Sequence, residues 1–358
     1  MADIGSPIKI GKLTLKNRIT MAPTVKFDFT DDTGIATDIL VQHYKERAEH
    51  GCALICVEAT AIVPGGRFCR GHMGLYNDEQ TESQKRITAA VHAAGIPVII
   101  QLNHTGMTGN PELGPVIAPS AVDTRSGEKA HAMSIDEVHE MQRAYIDAAV
   151  RAKAAGYDGV QLHACHGYLI NQFASPVVNF REDEYGGSIE NRARFGAEII
   201  AGIREACGPD FLIAARISGF EGSVEESVQT GEAYVAAGCD YLQVSNGIDD
   251  ADRMERDETL PYNAVCELGV RFHEHFKGRV PVSCVNSILS PEEARYIIEN
   301  DLCDTIDLGR GILADPALPD AILTGAPYVH CFECKRCQYG PFTQHKCPAE
   351  MKRRIAHA

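Results

Sequence analysis

The chain has 358 residues, of which 44% are hydrophobic and 23% charged, and its formal net charge is −15. That balance describes a globular protein with a sizeable core and excludes a disordered chain. The acidic excess excludes a general affinity for nucleic acid or anionic lipid, and no apolar run approaches the ~20 residues that cross a bilayer. The first segment, MADIGSPIKIGKL, has no basic stretch leading into an apolar one. The expectation is therefore a cytoplasmic protein whose partners are small molecules, with no nucleic acid and no membrane.

In chain order, eight short segments rich in Val, Ile and Leu recur, each followed by a longer stretch with helical spacing. They are RITMAPT (18–24), CALICVEAT (52–60), PVIIQLN (97–103), YDGVQLHA (157–164), FLIAARIS (211–218), CDYLQVS (239–245), RVPVSCV (279–285) and CDTIDLGR (303–310). Near-continuous apolar strands imply burial on both faces, as in a parallel sheet covered by helices. Eight such units predict an α/β fold, a closed (β/α)8 TIM barrel over residues 1–325, with an open doubly wound sheet as the competing arrangement. The helices carry their own boundaries. Residues 134–156 open with Ser134 and Glu137 in capping-box spacing and close on Gly156, and the helix from Ser290 has Pro at its first position and acids in its first turn.

Beyond residue 325 the character changes. Residues 326–358 hold six Lys or Arg against two Glu and form a short Cys-rich extension. Of the thirteen cysteines, nine are scattered (Cys52, Cys56, Cys69, Cys165, Cys207, Cys239, Cys266, Cys284 and Cys303) and read as small core residues. The other four, Cys331, Cys334, Cys337 and Cys347, are spaced C-x2-C-x2-C-x9-C. In a chain without an export signal such a cluster suggests metal ligands before disulfides.

Chemistry in barrels of this kind gathers at the C-terminal ends of the strands, and phosphate sites at the loops after strands seven and eight. Gln101, His163 and Arg216 end the third, fourth and fifth strands, Asn246 and Asn286 follow the sixth and seventh, and Gly309 with Arg310 ends the eighth. The backbone of LGRG can approach an anion and Arg310 can pair with it. In QLHACHGYLINQ (161–172), His163, His166 and Tyr168 face one pocket mouth. Paired histidines can ligate zinc, but no nearby carboxylate completes that set. Two neutral imidazoles donating to one carbonyl oxygen, with the phenol as proton donor, fit better, and a satisfied structural pair is the bland alternative.

The stretch HACHGYLINQFASPVVNFREDEYGGSIENRARF (163–195) resembles the signature of the Old Yellow Enzyme family of flavin-dependent ene-reductases. MAPT (21–24), VEATA (57–61), QLNHTG (101–106), ARIS (215–218) and LGRGILADP (308–316) align with it in order, so the resemblance covers essentially the whole barrel. It implies FMN at the barrel mouth, with Ala22, Pro23, Thr24 and Val25 along the isoalloxazine and Ala59 and Gln101 at its polar edge. Arg216 would stand by the pyrimidine side, where positive charge favours the reduced anion, and Asn286, Gly309 and Arg310 would hold the phosphate. His163 and His166 would grip the substrate carbonyl, Tyr168 would protonate the α carbon, and flavin N5 would deliver hydride to the β carbon. Val25 replaces a Cys or Thr common in relatives.

Asn286 resembles instead the branch containing 2,4-dienoyl-CoA reductase and trimethylamine dehydrogenase. In that branch a similar cysteine group binds a [4Fe-4S] cluster, although zinc accepts the same four ligands. Electrons would come from NAD(P)H directly or from a separate donor protein docking on the basic tail, and the family favours a homo-oligomer. An amine dehydrogenase or demethylase is the enzymatic alternative, weakened by the absence of Trp for an ammonium cage. An electron-transfer subunit is the other, although it would need none of His163, His166 and Tyr168. Lys26, Phe27, Met107 and the acidic segment 248–258 are the expected pocket-shaping residues.

Overall fold

The computed structural model describes residues 3–26, 29–124, 127–249, 259–335, 337 and 347–356. Phe27 and most of the 248–258 segment lie outside them, as do Arg336 and 338–346 of the extension. An antiparallel hairpin, β1 (Ile8–Ile10) and β2 (Leu13–Leu15), leads into β3 (Ile19–Met21), α1 (Asp38–Ala48), β4 (Leu54–Ala61), α2 (Asp78–His92) and β5 (Val98–Asn103). A two-stranded parallel sheet follows outside the barrel, β6 (Ile117–Ala118) with β7 (His131–Ala132). The alternation then resumes through α3 (Ile135–Ala154), β8 (Gly159–Ala164), α4 (Leu169–Ala174), α5 (Ile189–Cys207), β9 (Leu212–Ser218), α6 (Val224–Ala236) and β10 (Tyr241–Ser245). It ends with α7 (Ala264–Phe276), β11 (Val282–Val285), α8 (Pro291–Glu299), β12 (Thr305–Leu308), α9 (Arg310–Ala314), α10 (Leu318–Thr324) and α11 (Pro348–Ala356).

Eight strands close into one parallel barrel in the order β3-β4-β5-β8-β9-β10-β11-β12, with β12 pairing back to β3. These are the eight apolar segments of the sequence. Every residue of β4, β5, β8, β10, β11 and β12 is buried, which is what two covered faces require. The hairpin stoppers the N-terminal end of the barrel, where Ile10 and Leu15 pack with Leu54, Ile99, Leu212 and Tyr241. Its turn needs Gly11: φ is 56°, and a Cβ there would stand 3.1 Å from Leu212 and 3.2 Å from Asp240.

Strand periodicity puts alternate residues inside, and one layer above that apolar floor the barrel turns polar. Thr20, Gln101, Gln161, Gln243 and Asp307 are all buried there. Gln101 Nε2 donates to Gln161 Oε1 at 2.6 Å, and Gln243 Nε2 to Asp307 Oδ1 at 2.6 Å, an oxygen that also accepts from Thr20 Oγ1. Branched apolar residues usually fill this layer.

The extension returns to the barrel. Ala349 of α11 is fully buried, and Arg353 Nη2 donates to Glu46 Oε1 of α1 at 2.8 Å. Among the described residues no helix is long and apolar enough to cross a membrane.

Candidate active site

At the end of β8 the chain turns sharply, with His166 at φ 60° and Gly167 at φ 74°, before Tyr168 becomes the N-cap residue of α4. One backbone bond and one to a side chain hold the turn: His166 N donates to Asn246 O at 3.0 Å and Gly167 N to Asn171 Oδ1 at 2.8 Å. The motif residues therefore meet. His163 Nε2 and His166 Nδ1 are 2.9 Å apart, His166 Nε2 and Ser245 Oγ 2.8 Å, and Arg216 Nη2 reaches Ser245 Oγ at 3.5 Å. The Tyr168 ring stands edge-on to His163, centroids 4.6 Å apart.

Burial, reinforced by His166 and Arg216, holds the His163 imidazole well below its ordinary range. His166 is lowered by burial in the concave mouth and by Arg216; water reaches its outer edge, which softens the effect without reversing it. Both rings are neutral at pH 7. In a bond between two neutral imidazoles one nitrogen donates and the other accepts, so here the pair is engaged with itself rather than with a shared oxygen. His163, Cys165 and His166 carry ligand-capable atoms within 4.8 Å of one another, yet burial pushes the Cys165 thiol up to about 12. A protonated thiol and two mutually bonded rings are a poor metal set.

Beside this pair a cavity of about 330 Å³ opens between the ends of β3, β9, β10, β11 and β12. Its walls include Ala22, Pro23, Thr24, Arg216, Asn286, Gly309 and Arg310, together with His166. Of the motif residues only His166 is part of its wall, with His163 and Tyr168 behind it, and three of the residues expected at the cofactor are not part of it either. Val25 lies beyond it, Ala59 spends its carbonyl on His72 Nε2 at 2.7 Å, and Gln101 sits in the polar layer below. Lys26 is fully buried, its backbone N donating to Glu58 Oε1 at 3.1 Å. Asn286 and Ser287 are both left-handed, φ 88° and 54°, and Arg310 Nη2 donates to the Ser287 hydroxyl. Such backbone conformations persist where surroundings over-determine them, commonly at ligand clamps.

These residues fit a flavin nucleotide. Among the described residues the buried Arg216 Nε and Asn246 Oδ1, both on cavity-lining residues, lack hydrogen-bond partners, so the wall offers an unused donor and an unused acceptor. Gly309 has nothing within 4 Å of where a Cβ would stand, which leaves its backbone open to an anion beside Arg310. Ser245, Ser287 and Glu58 escaped the sequence reading. Ser245 was the most accessible of them, being the last residue of the sixth barrel strand.

In the extension, Cys331, Cys334 and Cys347 are half-buried and Cys337 is exposed. Burial raises the Cys347 thiol, with Cys331 close enough to add to the effect. Among the described residues no three of these sulfurs lie within 4.8 Å of one another. Four thiols are a donor set that a [4Fe-4S] cluster and zinc both accept.

A polar cavity of this kind, at the phosphate-binding end of a (β/α)8 barrel, suits a phosphorylated cofactor. Residues 3–328 match the model of the NADH:flavin oxidoreductase / NADH oxidase family, and the chain belongs to that family. It is 36% identical over 326 residues to an NADH oxidase of Thermoanaerobacter brockii, covering 87% of this chain and 49% of that protein. The chain thus spans about half the length of that relative. Its structure superposes on 2-naphthoyl-CoA reductase in complex with 2-naphthoyl-CoA with a TM-score of 0.87 at 26% identity, over 99% of this chain and 58% of the other. An old yellow enzyme homologue from Zymomonas mobilis follows at TM-score 0.80 and 29% identity, over 92% of this chain and 95% of that one. The Old Yellow Enzyme resemblance and the barrel hold, and the family is one of flavin oxidoreductases; the likenesses do not reach the branch read from Asn286 and the cysteine group.

Proposed function

We propose that the protein reduces the activated C=C bond of an α,β-unsaturated carbonyl compound, using FMN and NAD(P)H. The observation that carries this reading is the neutral His163–His166 pair, set beside Tyr168 at the edge of a cavity that suits a flavin. FMN would be held by Ala22, Pro23, Thr24 and Arg216, and at its phosphate by Asn286, Gly309 and Arg310. When bound, FMN supplies the two-electron chemistry.

The chain's own residues supply the rest. An incoming carbonyl oxygen competes for the N–H that His163 and His166 share, and both rings then donate to it. Being neutral, they polarise the carbonyl without giving up a proton, which leaves the β carbon electron-poor. Tyr168, against His163, is the proton donor to the α carbon. A thioester carbonyl conjugated to a ring or alkene meets the same requirements, and the likeness to 2-naphthoyl-CoA reductase supports that substrate class.

Tyr168→Phe tests the assignment. The expected result is a ~10²–10⁴-fold loss of turnover on an enone, with the rate of flavin reduction by NADPH unchanged; a variant with full enone turnover contradicts it. For the extension we propose a [4Fe-4S] cluster on Cys331, Cys334, Cys337 and Cys347. Protein purified without oxygen should carry about four irons with acid-labile sulfide. Zinc in their place makes the extension a structural module and NAD(P)H the direct donor.

A further inference from the structure

The polar layer under the cavity has no place in the mechanism above, and its central group is a carboxylate. Asp307 on β12 lies two residues before Gly309, Thr20 on β3 two before Ala22, and Gln243 on β10 two before Ser245. At ~3.3 Å per residue this layer is about 7 Å beneath the residues that line the cavity. Asp307 is buried and its Oδ1 accepts from Thr20 and from Gln243 at 2.6 Å. Gln243 pairs in register with Arg216 on the neighbouring strand, so the carboxylate and the guanidinium face one interior. Among the described residues Arg216 has an unpartnered Nε and Gln243 an unpartnered Oε1. The layer was built to hold a charge beneath the mouth, not to seal it.

Resting on the flavin reading, we infer that Asp307 is a buried counter-charge to Arg216 that holds the cofactor's reduction potential low. Arg216 favours the anionic reduced flavin; a carboxylate behind it, shielded from salt by the barrel wall, offsets part of that effect. Burial pushes the Asp307 carboxyl up to about 6, while the Thr20 bond and Arg216 limit the rise, so at pH 8 it carries its charge. Asp307 touches no substrate. It acts through Arg216 and is a positioning residue.

The test is the midpoint potential of bound FMN at pH 8, measured by anaerobic dye equilibration on the full chain, with FMN dissociation constants measured alongside. Asp307→Asn keeps an oxygen for Thr20 and Gln243 and removes only the charge. The expected result is a potential shifted upward from the wild type, with faster flavin reduction by NADPH and slower oxidation by an enone. An unchanged potential in a variant that binds FMN as tightly as wild type overturns the proposal while leaving the flavin reading intact. Asp307→Ser gives the same upward shift should the carboxamide not be accommodated, and an unchanged potential there is equally decisive. Failure of the wild type to take up FMN sinks both readings.

Discussion

His166 keeps its backbone in a region that costs a non-glycine residue roughly 1–2 kcal/mol, and one oxygen atom far away in sequence explains why it stays there. Glu221 Oε1 accepts from Asn171 Nδ2 and from Ile248 N, both at 2.8 Å, and Asn171 Oδ1 in turn accepts from Gly167 N. The loop bearing the histidine pair is thereby tied to the loop after β10. Gly247 has to be glycine for this to fit, since a Cβ would stand 1.9 Å from that same oxygen. Both bonds use a single acceptor, so Glu221→Gln should retain enone turnover. Glu221→Leu leaves Asn171 and Ile248 N unpaired in a buried site, at about 1–3 kcal/mol each, and should lower enone turnover at least about tenfold with NADPH-driven flavin reduction preserved. Equal turnover in the Gln and Leu variants, measured side by side, would refute the tie. The sequence displays His163, His166 and Tyr168 because they fall within six residues. It hides Glu221, Ser245 and Ser287, whose residue types are common in any loop and whose roles depend on partners dozens of residues away.

Helix boundaries were the most legible elements. Ser134 and Glu137 form the reciprocal cap of α3, with Glu137 N donating to Ser134 Oγ at 3.3 Å and Ser134 N to Glu137 Oε2 at 2.7 Å. Ser290 and Glu293 repeat it on α8 at 3.2 and 3.1 Å. These caps are local, and local spacing is what a sequence records. Ser134→Ala should cost about 1 kcal/mol in urea unfolding and leave FMN affinity unchanged; a coupled loss of affinity would mean that α3 positions the mouth. The strands were legible for the complementary reason, that both faces are covered and their residues run apolar without alternation. Less could be read where a strand breaks that rule. Asp307 in CDTIDLGR and Gln243 in CDYLQVS look like ordinary polar interruptions until barrel closure brings Gln243 Nε2 within 2.6 Å of Asp307 Oδ1. The hairpin that stoppers the barrel was invisible for want of a period in strands of three residues.

For the whole molecule the acidic body and the basic extension are in contact, since Arg353 lies 2.8 Å from Glu46, and part of the tail's charge is used within the chain. Acid stability follows from a different population, the ionisable groups buried in the fold. His43, His72, His104 and His163 are buried, and desolvation holds all four below the ordinary imidazole value, His72 and His104 at about 4. The unfolded chain takes up protons at these positions from pH 6.5 downward and the folded chain does not. The stability they confer is therefore present above pH 6.5 and lost as pH falls toward their folded values, at up to about 1.4 kcal/mol per pH unit for each group. Three buried acids work in the opposite sense. Burial raises Glu58 to about 7, Asp307 to about 6, and Glu221 above its usual range. Their contribution is present at low pH and lost as pH rises through those values. Four imidazoles outweigh three carboxyls between pH 6.5 and 4.5, and the urea midpoint of the FMN-saturated protein should fall across that window. A midpoint that stayed level or rose on acidification would mean that the buried acids govern the balance, and that these four histidines take up protons in the folded state.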